Sequence, residues 1–127
     1  MDGKLIIGTV DALSEPRAFH ERPWGGYTVL YEQPGIKIKT LRVDPGHEIP
    51  LQRHLYHEER WQVVHGTGKA FIKDDAQNYS CNIPLDPGTI VDIPVGRWHK
   101  IMATEEPLYF IEVQIGVIVP GGDAELA

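Results

Sequence analysis

Two histidines, a glutamate and a glutamine stand where a strand pattern would bring them together. Gln52 and His54 are two residues apart, so both side chains project from one face if that segment is extended. Glu59 opens an apolar run five residues later, and His99 lies just after a turn at 94–96. Two imidazoles, a carboxylate and an amide oxygen suit Zn, Mn, Fe, Co or Ni, and suit Cu(I) poorly. These four residues are therefore candidate ligands of one divalent metal ion.

Short strands must position these residues, because glycine and proline interrupt the chain throughout. The 13 glycines and 10 prolines separate runs rich in Val, Ile, Tyr and Thr, a pattern typical of strands joined by tight turns. No long helix is indicated, and the short, even spacing predicts an antiparallel sandwich or barrel rather than βαβ units. The predicted strands are 27–32, 36–43, 59–65, 68–73, 79–83, 90–93, 99–103 and 108–115.

The length of 127 residues predicts a single domain whose barrel spans 21–116. Residues 1–20 form an N-terminal arm in this prediction, with a helical turn or a packed arm over 12–20. Residues 117–127 form a tail, and its last part, 121–127, is expected to fray.

The charge balance and the hydropathy pattern exclude some partners. Twelve Lys and Arg against 18 Asp and Glu give a net charge of -6, which offers no basic face for nucleic acid. No apolar run is long enough for a spanning helix, and no signal peptide is indicated. We expect a cytoplasmic protein that binds neither nucleic acid nor membrane.

The turns around the candidate ligands resemble the two sequence motifs of the cupin superfamily. The first motif spaces a glycine, a ligand pair, a glutamate and a glycine as this chain spaces Gly46, Gln52, His54, Glu59 and Gly66. The second combines a glycine, a PxG turn and a histidine, here Gly88, Pro94, Gly96 and His99. Ala103 stands where many cupins have asparagine. The resemblance implies an all-β double-stranded β-helix, a small jelly-roll-like barrel with the ligands on facing strands at one mouth.

Gln52 points to one particular family within the cupins, because most metal cupins have histidine at this position. With RPWGGY at 22–27, LQRH at 51–54, ERW at 59–61 and IEVQIG at 111–116, the chain resembles the cupin domain of type II mannose-6-phosphate isomerases. In that family the domain is commonly fused behind a mannose-1-phosphate guanylyltransferase. The resemblance implies a metal-dependent aldose–ketose isomerase that interconverts mannose 6-phosphate and fructose 6-phosphate or a related sugar phosphate.

Such an isomerase needs a base as well as a metal. A proton moves between C1 and C2 through a cis-enediolate, whose charge a divalent metal stabilises. Glu112, His57 and Lys39 are the candidate bases, and the sequence does not rank them. Gln114 shares a strand face with Glu112 and is a candidate substrate contact. Alternatively, Glu112 and Gln114 form a buried structural hydrogen-bond pair.

Three basic residues are candidates for binding the substrate's phosphate. Lys37 and Lys39 lie on one face of a predicted strand, and Arg22 precedes the barrel strands. The alternative interpretation of the two lysines is a solvated strand face.

The chain departs from the family beside the candidate ligands. His57 stands where the family usually has arginine, and Arg60 where it has histidine. Because that arginine is a candidate phosphate or enediolate contact, its replacement favours a second hypothesis: a non-catalytic metal-binding cupin that binds sugar phosphates or regulates a partner enzyme. A third hypothesis, a cupin dioxygenase or decarboxylase, is disfavoured by Gln52. Cupins often dimerise through edge strands, so we expect a homodimer.

Overall fold

The computed structural model describes residues 17–127. These residues form eleven strands and contain no helix, so none of them belongs to a helix that could cross a membrane. The helical turn expected at 12–20 lies mostly outside the described residues, and Phe19 and His20 belong to a strand. The strands are β1 (Phe19–Arg22), β2 (Gly25–Gln33), β3 (Ile36–Val43), β4 (Glu48–Arg53), β5 (His57–His65), β6 (Gly68–Asp74), β7 (Tyr79–Leu85), β8 (Ile90–Ile93), β9 (Trp98–Ala103), β10 (Leu108–Gly116) and β11 (Glu125–Leu126).

The strands form two antiparallel sheets that share one apolar core. One sheet has the order β1-β2-β3-β10-β5-β8, and the other has the order β11-β4-β9-β6-β7. Leu41 and Phe110 from the first sheet and Ile101 from the second are all buried in the same cluster. Because β9 lies between β4 and β6, the segment that carries His99 is placed beside the segment that carries Gln52.

Side-chain alternation gives the core a polar end. Successive side chains of a strand point to opposite faces, and β5 buries His57, Glu59, Trp61 and Val63. In the same way, β10 buries Leu108, Phe110, Glu112 and Gln114. The two strands are antiparallel, with Gln114 opposite Glu59 and Glu112 opposite Trp61. Their buried polar residues therefore meet at one end of the barrel, and their apolar residues pack at the other.

Three of the observed strands are absent from the sequence prediction. The sequence does not predict β1, β4 or β11, whereas the predicted bounds of β3 and β8 coincide with the observed ones. β4 contains Pro50, and its register with β9 shifts between Ile49 and Gln52, since proline has no N–H to donate to the ladder. The pairing with β9 nevertheless keeps the segment extended.

The expectation of a fraying tail is wrong. β11 pairs with β4, with Glu125 opposite Arg53 and Leu126 opposite Gln52. The backbone N–H of Ala127 donates to the carbonyl oxygen of Leu51 at 3.2 Å. The partner strand lies far away in the sequence, so no local pattern in 121–127 indicates this pairing.

Candidate metal centre and its cavity

A cavity of about 470 Å³ opens at the polar end of the core. Both sheets contribute to its walls, and the C-terminal strand adds Leu126 at one side. Eight of the ten site residues expected from the sequence line this cavity, namely Arg22, Lys39, Gln52, His54, Glu59, His99, Glu112 and Gln114.

His54, Glu59 and His99 bring their nitrogen and oxygen atoms together on the cavity wall. One ligand atom of each lies within 4.8 Å of the other two. The Nε2 atom of His54 is 3.0 Å from Glu59 Oε2, and the Nε2 atom of His99 is 3.9 Å from Glu59 Oε1. His54 directly follows β4, Glu59 belongs to β5 and His99 to β9, so both sheets contribute. This nitrogen and oxygen donor set fits a divalent transition metal.

The surroundings of His99 and Glu59 fix which atoms face the cavity. The Nδ1 atom of His99 lies 3.0 Å from the carbonyl oxygen of Arg97. A carbonyl only accepts, so Nδ1 carries the hydrogen and Nε2 presents its lone pair. Glu59 Oε1 accepts a hydrogen bond from Trp61 Nε1 at 2.9 Å. Such contacts orient metal-binding side chains before the metal arrives.

Gln52 lies directly across from His99 in the ladder between β4 and β9. Directly opposed residues of an antiparallel pair project from the same face, and both line the cavity. The amide of Gln52 is therefore on the same wall as the imidazole of His99.

Burial and ion pairing set the protonation of the three groups. Burial opposes ionisation of Glu59, but hydrogen bonds from His54 and His57 hold its pKa well below the usual value. Burial likewise disfavours the His54 cation, yet contacts with Glu59 and Asp123 raise the pKa of His54 to about 9. Burial lowers the pKa of His99. An ionised carboxylate and a neutral imidazole are the forms that bind metals, so Glu59 and His99 are ready to bind, whereas His54 must first release a proton.

His57 occupies a different place from the one expected of a base. It is 5% exposed and does not belong to the cavity lining. Its Nε2 atom lies 3.1 Å from Glu59 Oε2, and its ring stacks on His54 with centroids 4.3 Å apart. This placement does not fit the expected catalytic role, because the ring packs behind the candidate ligands, where it stabilises the Glu59 carboxylate.

Sequence analysis missed Asp123. Its Oδ1 atom is 2.9 Å from His54 Nδ1 and 3.5 Å from His57 Nδ1. With these two histidines it forms a second group whose nitrogen and oxygen atoms are close enough to hold a metal. A single acid in a tail without strand periodicity gives no local signal. Only the paired Gly121 and Gly122 before it, both at positive φ, indicate that the chain turns there.

Glu112 lies on β10, the strand beside β5, and lines the same cavity as Glu59. Gln114 Nε2 donates to Glu112 Oε2 at 2.8 Å, and Lys39 Nζ lies 3.9 Å from the same oxygen. Burial, and then the charge of Glu59, raise the pKa of Glu112 to about 8, although Lys39 opposes this shift. The expected hydrogen-bond pair of Glu112 and Gln114 is thus present, and both side chains also reach the cavity.

The expected phosphate contacts divide into two groups. The ammonium group of Lys39 lies 4.5 Å from the centre of the Tyr27 ring, and the Arg22 guanidinium lies 5.1 Å from it. Arg22 also donates to the Tyr27 hydroxyl at 3.1 Å. Lys37, by contrast, is 3.8 Å from Glu32 and does not line the cavity. The structure therefore brings Arg22 and Lys39 together but leaves Lys37 outside.

The comparison with protein families decides what kind of domain this is. The model of the family described as mannose-6-phosphate isomerase C-terminal matches residues 12–125. The chain belongs to this family. The match confirms the family resemblance that the motifs around the candidate ligands indicate.

The curated relatives of this chain are longer proteins. The chain is 34% identical over 120 residues to the mannose-1-phosphate guanylyltransferase of Escherichia coli strain K12. The aligned region covers 91% of this chain and 24% of that protein. The chain is 33% identical over 106 residues to the enzyme of the same name from Sinorhizobium fredii, covering 80% of this chain and 19% of that one. The chain thus spans at most about a quarter of these relatives.

Solved structures share the fold of this domain. The capsular polysaccharide assembling protein CapF from Staphylococcus aureus matches 89% of the chain and 34% of its own length with a TM-score of 0.79 and 21% identity. An oxalate decarboxylase variant from Bacillus subtilis matches 87% of the chain and 30% of its own length with a TM-score of 0.76 and 20% identity. At such low identity these likenesses concern the fold, and they confirm the expected all-β cupin fold.

Proposed function

We propose that this domain is a metal-dependent aldose–ketose isomerase acting on mannose 6-phosphate and fructose 6-phosphate or a related sugar phosphate. One observation carries the proposal: a single cavity is lined by the candidate metal ligands, by the carboxylate of Glu112 and by the cation of Lys39. A sugar phosphate matches all three, because it offers neighbouring oxygens, a C–H bond beside a carbonyl and an anion. Membership of the mannose-6-phosphate isomerase C-terminal family supports the same chemistry.

In this proposal His54, Glu59 and His99 hold one divalent ion, with Gln52 as a further ligand. The donor set suits Zn, Mn, Fe, Co or Ni. A bound ion of this kind acts as a Lewis acid that stabilises negative charge on substrate oxygens. The surrounding chain keeps the ligands in place through Arg97 and Trp61.

Glu112 is the proposed proton carrier. Its carboxylate lines the cavity and is held by Gln114 at 2.8 Å. With a pKa of about 8 it is mostly protonated at neutral pH, and its ionised fraction takes a proton from one carbon of the substrate and returns it to the neighbouring carbon, so the reaction needs no co-reactant. Lys39 faces both Glu112 and the Tyr27 ring. We assign Lys39 and Arg22 to the negative charge of the substrate.

A coupled assay for fructose 6-phosphate formation from mannose 6-phosphate tests this proposal. The protein is stripped of metal and reconstituted separately with Zn, Mn, Fe, Co and Ni. We expect turnover with at least one metal and its loss on chelation. His99→Ala and Glu112→Gln should each lower kcat by more than about 100-fold. His47→Ala is the matched control, since His47 is exposed and outside the cavity, and it should leave kcat unchanged.

The second candidate is a cupin that binds sugar phosphates without converting them. The observation in its favour concerns residue 57, where the family usually has arginine. Here His57 stands there and packs against Glu59 instead of facing the cavity. Binding of mannose 6-phosphate without turnover in any metal-loaded form would contradict the isomerase and support this candidate.

A further inference from the structure

The C-terminal segment returns to the metal centre after the last long strand. The N–H of Val117 donates to the carbonyl oxygen of Tyr56 at 2.8 Å, which directs the chain past the beginning of β5. Beyond the turn at Gly121 and Gly122, Glu125 forms an ion pair of 2.7 Å with Arg53. These contacts on both sides place Asp123 beside the segment that carries His54.

Each carboxylate oxygen of Asp123 contacts its own partner. Oδ1 lies 2.9 Å from His54 Nδ1, and Oδ2 accepts a hydrogen bond from the N–H of Tyr56 at 3.2 Å. The Asp123 side chain is only 5% exposed. The residue lies 69 positions after His54 in the chain. A buried carboxylate with two partners this distant in sequence has a fixed orientation.

The contact with Asp123 determines which nitrogen of His54 is available. An ionised carboxylate only accepts, so Nδ1 of His54 carries a hydrogen and points away from the cavity. Nε2, on the other side of the ring, lies 3.0 Å from Glu59 and donates a hydrogen to it while no metal is bound, so Nε2 is the nitrogen whose hydrogen a metal replaces. His99 has the same arrangement, with Nδ1 on the carbonyl oxygen of Arg97. Metal-binding histidines typically use such an acceptor to fix their tautomer and ring orientation.

We propose that Asp123 is a positioning residue of the metal centre, which holds the His54 ring so that Nε2 is presented to the ion. Asp123 stands two residues before β11, in the segment that β11 fixes against β4. The proposal rests on the metal site of the proposed function and is independent of isomerisation.

A titration with Co²⁺, followed by its visible absorption, tests this role in the full chain. We compare Asp123→Ala, Asp123→Asn and Glu125→Gln, and we measure the unfolding midpoint of each without metal. Glu125→Gln is the matched control, because it removes the ion pair with Arg53 but leaves the contact with His54 intact. Asp123→Ala should weaken Co²⁺ binding about 10- to 100-fold and alter the absorption bands. Asp123→Asn should recover part of the affinity, because its amide oxygen still accepts from Nδ1.

Several results would overturn the proposal. Unchanged Co²⁺ affinity in Asp123→Ala would contradict it. An equal loss of Co²⁺ affinity in Asp123→Ala and Glu125→Gln would also contradict it, because the C-terminal segment would then have only a structural role. A second Co²⁺ ion that disappears in Asp123→Ala would make Asp123 a ligand at the group with His54 and His57. Absence of Co²⁺ binding in the wild-type protein would overturn this proposal and the proposed metal site together. Co²⁺ binding that depends on Asp123 without sugar phosphate turnover would overturn only the isomerase.

Discussion

Glu59 connects most of the polar groups of the candidate centre. Its two oxygens lie 3.0 Å from His54 Nε2, 3.1 Å from His57 Nε2 and 2.9 Å from Trp61 Nε1. The residue is 4% exposed. A buried carboxylate is stable only with such partners. The same partners make its position suitable for a ligand, since its geometry is set before any metal binds.

Replacement of Glu59 by glutamine tests its contribution at the residue scale. Glutamine keeps the volume and an oxygen that can accept from Trp61, but it removes the negative charge. We expect Glu59→Gln to weaken binding of Zn²⁺ or Co²⁺ by more than about 100-fold, measured by titration calorimetry. The matched control is Glu58→Gln, because Glu58 is the exposed neighbour on the opposite face of β5. Equal affinities of the two variants would contradict the assignment.

Sequence reasoning finds the candidate ligands and misses Asp123, which supports one of them. Gln52, His54, Glu59 and His99 fall in two turn-framed motifs, and local spacing is visible in a sequence. The contact between His54 and Asp123 spans 69 residues and leaves no such spacing. His57 shares a strand face with Glu59, which alternation predicts, but its 3.5 Å approach to Asp123 joins distant parts of the chain and leaves no local signal.

The turns that frame the ligands differ in how strongly they require glycine. Gly66 ends β5 with φ +86°, and a Cβ there would overlap the carbonyl oxygen of Pro107. Gly46 precedes β4 with φ +73°, and no atom lies within 4 Å of the corresponding Cβ position. Both glycines belong to the first cupin motif, but only Gly66 is also required by the close approach of another segment.

Alanine at the two positions should therefore have unequal effects on stability. Gly46→Ala carries only the cost of the left-handed conformation, about 1–2 kcal/mol. Gly66→Ala adds a backbone displacement, and we expect it to lower the free energy of unfolding by about 2 kcal/mol more. Urea denaturation of both variants measures this difference. Equal losses would show that the segment at Pro107 moves away without cost.

Strand prediction succeeds where apolar runs are bounded by turns and fails where pairing alone defines the strand. The bounds of β3 and β8 follow from Val- and Ile-rich runs between glycine or proline turns. β4 contains Pro50 and few apolar residues, and it is extended because β9 and β11 pair with it. The unpredicted strand β4 matters for the candidate metal centre, since it carries Gln52 and directly precedes His54.

At the scale of the whole molecule, the candidate centre joins the two sheets. Glu59 belongs to the sheet of β5 and β10, whereas His99 belongs to the sheet of β9 and β4. The family and the all-β cupin fold expected from the sequence are confirmed by the comparisons. The homodimer expected from the sequence stays a prediction. The cavity brings the cations of Lys39 and Arg22 together with the carboxyl groups of Glu59 and Glu112, and in the proposed function the two cations meet the anion of the substrate.

The central claim is that one divalent ion is held between the sheets by His54, Glu59 and His99. An anomalous difference map from crystals of the metal-reconstituted protein, recorded at the absorption edge of that metal, tests it most directly. The account predicts one peak, within about 2.0–2.2 Å of His54 Nε2, a Glu59 carboxylate oxygen and His99 Nε2. A map without a peak at these three atoms, or with its peak among His54, His57 and Asp123, would contradict it.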